Sequence, residues 1–456
     1  MSDSVWSDLV GGRHGTWTGT VWRPSPGKRG AFLLGRLVAS GGRRLRVRRL
    51  GGNRAGEIRL TRLLRNEAFS CEEMLAEAAG RTAERCVGRH VLAIQDTTVL
   101  RSEGGGGEYL HAVLALDAQD GAILGLIDGS FLERKGGRRA VRRSAPIEEK
   151  ESFRWLEGAD QAASVCAGAA SVTVIADRES DIFEAFALRP ERVELLVRAA
   201  HDRALADGER LFAQADGMPA MGRVELELPA KPGRRRRTAQ LEIRFMPARL
   251  ARPKYGLRAN LPESVAVNVI DVREINPPAG EVPIHWRLLT THAIASETEA
   301  WEVAGFYRQR WAIEQLFRTL KTEGFDIEGV QIEDKAPRNR LTIATLIAAV
   351  CIQQLVHARD GGPGPLRPLS DAFEPEDLPL LEACCAHLEG KTERQKNPHP
   401  KGSLAYAAWV CARLGGWTGY YGKPGPVVML QGWLEFQAMK RGTNLMMRHW
   451  QHRGDM

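Results

Sequence analysis

Cysteine is scarce and unpatterned: seven residues in 456, two of them adjacent at Cys384-Cys385 and the others isolated. An odd count without paired spacing supports neither a disulfide framework nor a zinc site, so the thiols read as small core residues. Uninterrupted apolar stretches of about 18 residues are also missing, as is a secretory pattern at the amino terminus. Both absences lead to the expectation of a reduced, cytoplasmic protein with no membrane partner. The first fifty residues lack any sustained helical or strand period; they are rich in Gly, Arg and Trp, with Arg43-Arg44, Arg46 and Arg48-Arg49.

What is present is length and positive charge. The chain is long enough for two or three domains and a large core. It carries 64 Lys and Arg against 56 Asp and Glu, a net of +8. That balance fits a polyanionic partner, although the same charge could serve a solvated surface.

The segment Tyr307–Lys321 concentrates its polar groups. Tyr307, Arg310, Glu314, Arg318 and Lys321 recur every three or four residues, which places them on one face of the helix the segment predicts. Phe306, Ile313, Leu316 and Leu320 supply a separate apolar side. One carboxylate among cations and a phenol suits a face turned toward a polyanion and a metal. Two upstream stretches, His90 to Thr98 and Ser171 to Glu179, read as apolar, β-branched strands ending in Asp96 and Asp177 at turns. Buried carboxylates cost several kcal/mol unless compensated, and divalent metal is the usual compensation where several converge. Asp96, Asp177 and Glu314 could hold two Mg²⁺ ions about 3.5 to 4 Å apart, an arrangement suited to phosphodiester displacement.

At these residues the chain resembles transposases of the IS4 type, close to the Tn5 transposase branch. The likeness rests on Asp96-Thr-Thr, Asp177-Arg-Glu-Ser-Asp-Ile, and the Tyr-x2-Arg-x3-Glu-x6-Lys signature at Tyr307, Arg310, Glu314 and Lys321. It extends to Glu149–Trp155, Glu274–Pro278, Trp286–Thr290 and the tail from Gly402 to Trp433, and spans roughly residues 53 to 440. The resemblance implies an α/β fold: a ribonuclease H-like catalytic core with a β-rich insertion, a small amino-terminal region and a helical carboxy-terminal domain. It implies a Mg²⁺-dependent DNA transposase, with Mn²⁺ able to substitute, that cleaves transposon ends and transfers strands into target DNA. Asp96, Asp177 and Glu314 would be its catalytic and metal-holding residues. Tyr307, Arg310 and Lys321 would contact phosphates beside the cleavage site, and Trp286 would stack on a flipped base. Arg318 and Arg198 would also meet DNA. Partners would be double-stranded DNA and a second copy in a homodimer on DNA, in the bacterial cytoplasm with the nucleoid.

The expected organisation is an end-binding region over 1–68, a catalytic domain over 69–360 with its insertion at about 200–300, and a dimerisation domain over 371–456. Residues 1–52 depart from the family pattern. They are either a divergent end-binding domain or the product of a frameshift or altered start, in which case the chain could be a DNA-binding, dimerising inhibitor rather than an active enzyme. The Arg134–Arg143 run is either a solvated loop or a phosphate-contacting arm. Arg234 to Arg237 read as a hairpin tip over the DNA backbone. Glu179 and Asp181 read as supporting acids beside Asp177.

Overall fold

Val91 and Ala93 face one side of a sheet, Leu92 and Ile94 face the other, and all four are buried. A strand apolar on both faces belongs at the centre of a layered α/β domain. In the computed structural model the described residues are 54–103, 106–134, 145–228, 235–254, 261–321, 324–361 and 364–454. The expectations for 1–52, for 135–143 and for Arg234 lie outside them.

Nine strands form one sheet among the described residues: β1 (His90–Glu103), β2 (Gly106–Asp117), β3 (Ile123–Arg134), β4 (Ser171–Ala176), β5 (Val193–Arg198), β6 (Gly222–Leu228), β7 (Arg237–Ala251), β8 (Ser264–Ile275) and β9 (His285–Thr290). Their order is β3-β2-β1-β4-β5-β9-β8-β7-β6. β1, β4 and β5 are parallel to one another; every other neighbouring pair is antiparallel. Strands β6 to β9 therefore extend the sheet beyond β5, because β9 pairs directly with it through Leu196, Val197 and Arg198. This mixed α/β sheet is compatible with a ribonuclease H-like domain.

Helices cover both faces; besides those that bear on the site, the described residues include α1 (Arg54–Arg65), α2 (Cys71–Cys86), α4 (Phe183–Ala187), α5 (Leu211–Gly217) and α9 (Leu378–Leu388). On one side α3 (Arg154–Val165) buries Ala159 and Ala162 against Val91, Ala93 and Val174. The other side receives α7 (Trp311–Leu320), which buries Ile313, Leu316, Phe317 and Leu320, the i, i+3, i+4, i+7 stripe of a core-facing helix. Behind it, α8 (Lys335–Ala358) packs on α7 and β3. By length and composition alone α8 is apolar enough to cross a membrane, yet it is mostly buried inside the protein. Such all-round apolarity is what a central core helix requires.

At the carboxy-terminal end, α10 (Leu404–Leu414) and α11 (Pro426–Gly454) approach closely over glycines. A Cβ on Gly432 would lie 1.6 Å from the Cys411 carbonyl oxygen, and one on Gly415 2.1 Å from that of Val428. Backbone on both sides leaves no flexible atom to yield. Gly432→Ala is therefore expected to reduce stability by about 1 to 3 kcal/mol through forced separation of the pair. Urea unfolding followed by circular dichroism measures this, and an unchanged midpoint would contradict the close approach.

Candidate active site

The site forms where β4 stops and β1 continues. Parallel pairing of β1 with β4 ends at Ile94 and Ile175, while antiparallel pairing with β2 carries β1 on to Glu103. Asp96 thus lies within its strand, correcting the expectation that it ends one: β2 keeps the backbone groups satisfied after β4 has turned away. Two residues after Ile94, Asp96 points to the same face, toward α7. Asp177 immediately follows β4, where a 3-10 turn over Arg178–Ser180 begins. Both acids lie just past the carboxyl end of the parallel β1–β4 pairing, the usual side for ligand sites in such sheets.

Glu314 arrives from the opposite wall. The segment read as one helix is two: α6 (Glu297–Arg308), opened by a capping box at Ser296 and Glu299, and α7. At the junction Arg310 N–H donates to the Tyr307 carbonyl at 3.1 Å and Ala312 N–H to that of Gln309 at 2.9 Å. These i→i+3 bonds are a 3-10 tightening, which eclipses side chains three apart and aims Tyr307 and Arg310 the same way.

Both reach the acids. Arg310 Nη1 donates to Asp96 Oδ2 at 3.2 Å; Nη2 bonds Glu314 and lies 3.9 Å from Asp177 Oδ2. The Tyr307 hydroxyl donates to Asp177 Oδ1 at 3.1 Å. One guanidinium therefore gathers three carboxylates from three separated segments. Their side chains keep 24%, 35% and 27% of their surface for Asp96, Asp177 and Glu314, enough to accept an incoming ligand. Burial pushes the Asp96 carboxyl above its usual range, and the neighbouring Asp177 and Glu314 charges add to this against the pull of the Thr97 N–H and Arg310. Burial likewise raises the Tyr307 phenol, reinforced by Asp177, so it stays a hydrogen-bond donor. For Arg310 burial works against the charge, but Tyr307 and the three acids outweigh it and the guanidinium is held charged.

The remaining expected residues divide. Trp286 is half-buried on β9 with its ring 6.2 Å from that of Tyr307, beside the acids. Arg198 ends β5 and donates to the His285 carbonyl at 3.0 Å, on the same side. Lys321 closes α7 and pairs with Glu328 at 2.8 Å, while Arg318 is exposed over the Trp311 ring at 5.4 Å. Neither touches the three acids. Arg237 is neutralised by Glu274 and Glu281, and Arg236 pairs with Glu227. Asp181 accepts from the Ala200 and His201 amides and from Arg203, which makes it a buried organiser of the turn beyond Asp177.

Of a largely buried polar chain behind the acids, the expectations contain only its exposed end, Glu179. Arg154 Nε donates to Thr97 Oγ1 at 3.1 Å, and its other arm meets Glu179 at 2.6 Å. The Gln95 amide nitrogen donates to the Trp155 carbonyl, which turns its oxygen to His111 Nε2 at 3.2 Å. His111 consequently carries its proton on Nε2 and accepts the Thr97 hydroxyl at Nδ1, 2.9 Å away. The chain links the strand just past Asp96 to the turn just past Asp177. Alternation along β1 and β2 is the only sequence signal for it, since Gln95 and His111 occupy inward positions.

Burial, with the Arg154 charge in support, pushes His111 down to about 3 from an ordinary 6.5. Between those values the unfolded chain binds a proton that the folded chain does not, so stability increases with pH and is lost as pH falls below about 6.5. One such group contributes a slope of up to about 1.4 kcal/mol per pH unit. Urea midpoints at pH 7 and pH 5 should therefore differ more in the wild type than in His111→Gln; equal differences would contradict a neutral buried His111.

Residues 173–351 match the family described as the transposase DDE domain. The match begins inside β4 and ends in α8, so it contains Asp177 and Glu314 together with Tyr307 and Arg310; Asp96 precedes it. It supports a DDE transposase, and with that the DNA partner and the use of divalent metal general to such enzymes. Hard carboxylate oxygens, partly open to solvent, are the donors a Mg²⁺-type ion takes. Among the described residues, however, no group of three or more His, Cys, Asp or Glu side chains is disposed to hold a metal ion. The donor chemistry fits; the oxygens are drawn onto Arg310 instead.

Proposed function

We propose that the protein is a DNA transposase of the IS4 type, close to the Tn5 branch, that cleaves DNA at transposon ends and joins the freed strand to target DNA. The observation that supports this reading is the convergence of Asp96, Asp177 and Glu314 around Arg310, two of the three acids lying within the transposase DDE match. The three carboxylates would hold two Mg²⁺ ions, or Mn²⁺ in their place, which when bound would activate water and neutralise charge on the leaving oxygen.

Around them the chain supplies recognition. Tyr307 and Arg310 donate toward the acids and are placed to donate to a phosphate lying over them. Trp286 offers a half-buried ring beside Tyr307 for stacking, and Arg198 a cation at the same edge. Arg318 on α7 and Lys321 just past its end, the latter paired with Glu328 here, would extend positive charge toward more distant phosphates. Dimerisation on DNA is supported by α11: Met429, Leu430, Trp433, Leu434 and Phe436 are buried, whereas Leu445, Met446 and Met447 are more than half exposed. An apolar, methionine-rich surface of this kind suits a second copy.

A plain nuclease of the same fold would nick DNA without joining it, and an inhibitor would bind without nicking. Incubating the full chain with Mg²⁺, labelled DNA bearing the element's ends, and a target plasmid separates the three. Joined product is expected; nicked product alone, or bound but intact DNA, would overturn the reading.

A further inference from the structure

Arg310 occupies the position where a metal's charge would be needed. Its two terminal nitrogens serve all three acids, and among the described residues no other Lys or Arg lies within 4 Å of any of them. A divalent cation would take the same carboxylate oxygens, at about 2.0 to 2.6 Å. An ion drawing on those oxygens would meet the like charge of the guanidinium and compete with it for the same carboxylates.

The side chain also has an alternative partner. A guanidinium fork matches a phosphate in bidentate geometry, and DNA is the polyanion this site is read as receiving. Arg310 stands at the 3-10 junction between α6 and α7, so it can turn without unwinding a continuous helix. Asp177 retains the Tyr307 hydroxyl when Arg310 leaves, which keeps one oxygen oriented.

We propose that Arg310 is an internal counter-ion that closes the metal site in the DNA-free protein and is drawn onto a DNA phosphate when substrate binds, so that metal and DNA load cooperatively. This rests on the reading of the three acids as the metal site. Coupling of this kind is reciprocal: whatever factor DNA adds to metal affinity, metal adds to DNA affinity.

Mn²⁺ binding to the full chain, followed by the electron paramagnetic resonance signal of the free ion, tests it without any activity readout. Without DNA, Arg310→Met should bind Mn²⁺ about tenfold more tightly than the wild type. A short duplex of arbitrary sequence should tighten Mn²⁺ binding to the wild type by a similar factor and leave the variant unchanged. Equal DNA-free affinities, or equal tightening in both proteins, would overturn the proposal while leaving the metal site itself in place. Adding Glu314→Gln to Arg310→Met should abolish the tight Mn²⁺ binding; tight binding that survives would show that the three acids are not the metal site, and the reading beneath the proposal would fall. Should Arg310→Met fold poorly, the wild-type arm decides alone: no tightening by duplex overturns the coupling.

Discussion

Glu314→Ala is expected to lower metal-dependent strand cleavage by at least about 10³-fold while changing stability by less than about 1 kcal/mol. The two halves of that expectation have separate causes. Activity would collapse because Glu314 supplies one wall of the proposed three-carboxylate site, and Asp96 on β1 and Asp177 just after β4 cannot reach across to replace it. Stability is spared because Glu314 is partly solvated on α7, whose packing comes from Ile313, Leu316, Phe317 and Leu320 on the other side of the helix. Arg310 keeps Asp96 and Asp177 as partners in the variant. Labelled-strand cleavage alongside thermal melting reads both. Cleavage within tenfold of wild type would remove Glu314 from the chemistry, and a large fall in melting temperature would show a structural role instead.

The largest loss of stability is expected elsewhere, at Asp271. Fully buried on β8, it accepts from Arg273 at 2.7 Å and from Arg287 at 2.8 Å, and His285 lies 2.9 Å away. Asp216 holds the outer side of both arginines at 2.5 Å. Asp271 faces Arg287 across the β8–β9 pairing, so the cluster fastens the added strands to the strand that joins β5. Removing the carboxylate leaves a nearly buried Arg287 short of its main counter-charge, a situation that costs about 3 to 5 kcal/mol. Asp271→Ala should show a loss of that size in urea unfolding; less than about 1 kcal/mol would mean Asp216 suffices. The acid side follows from the same geometry. Burial raises the Asp271 carboxyl, but His285, Arg273 and Arg287 overcome it and hold the group well below the usual carboxylate range. Its contribution is therefore complete above an ordinary Asp value of about 3.9 and disappears as pH falls below it. The variant should be less acid-sensitive than the wild type.

How much of this could be read from residue order depends on the kind of information each feature carries. Asp177 was legible because an apolar, β-branched run stops at it, and α7 because Ile313, Leu316 and Leu320 recur with helical period. Those are local signals. The continuation of β1 past Asp96 was not legible, since it depends on β2 outlasting β4 as a neighbour, and neighbours are set by the whole sheet. The break at Gln309 and Arg310 was hidden for a related reason: both are good helix formers, and local propensity yields to tertiary contacts. Charge runs were the least informative. Arg237 sits in a run that suggested DNA, yet its partners Glu274 and Glu281 come from β8 and the turn after it. Likewise the chain from Arg154 through Thr97 and His111 to Gln95 joins three elements whose polar residues have no common spacing.

The most direct test of the account is the position of the metal. Crystals of the full chain with duplex DNA and Mn²⁺, examined by anomalous scattering at the manganese edge, should show the ions bounded by Asp96, Asp177 and Glu314, with Arg310 turned to a phosphate. Manganese bound away from these three acids in a complex that still joins DNA strands would contradict it.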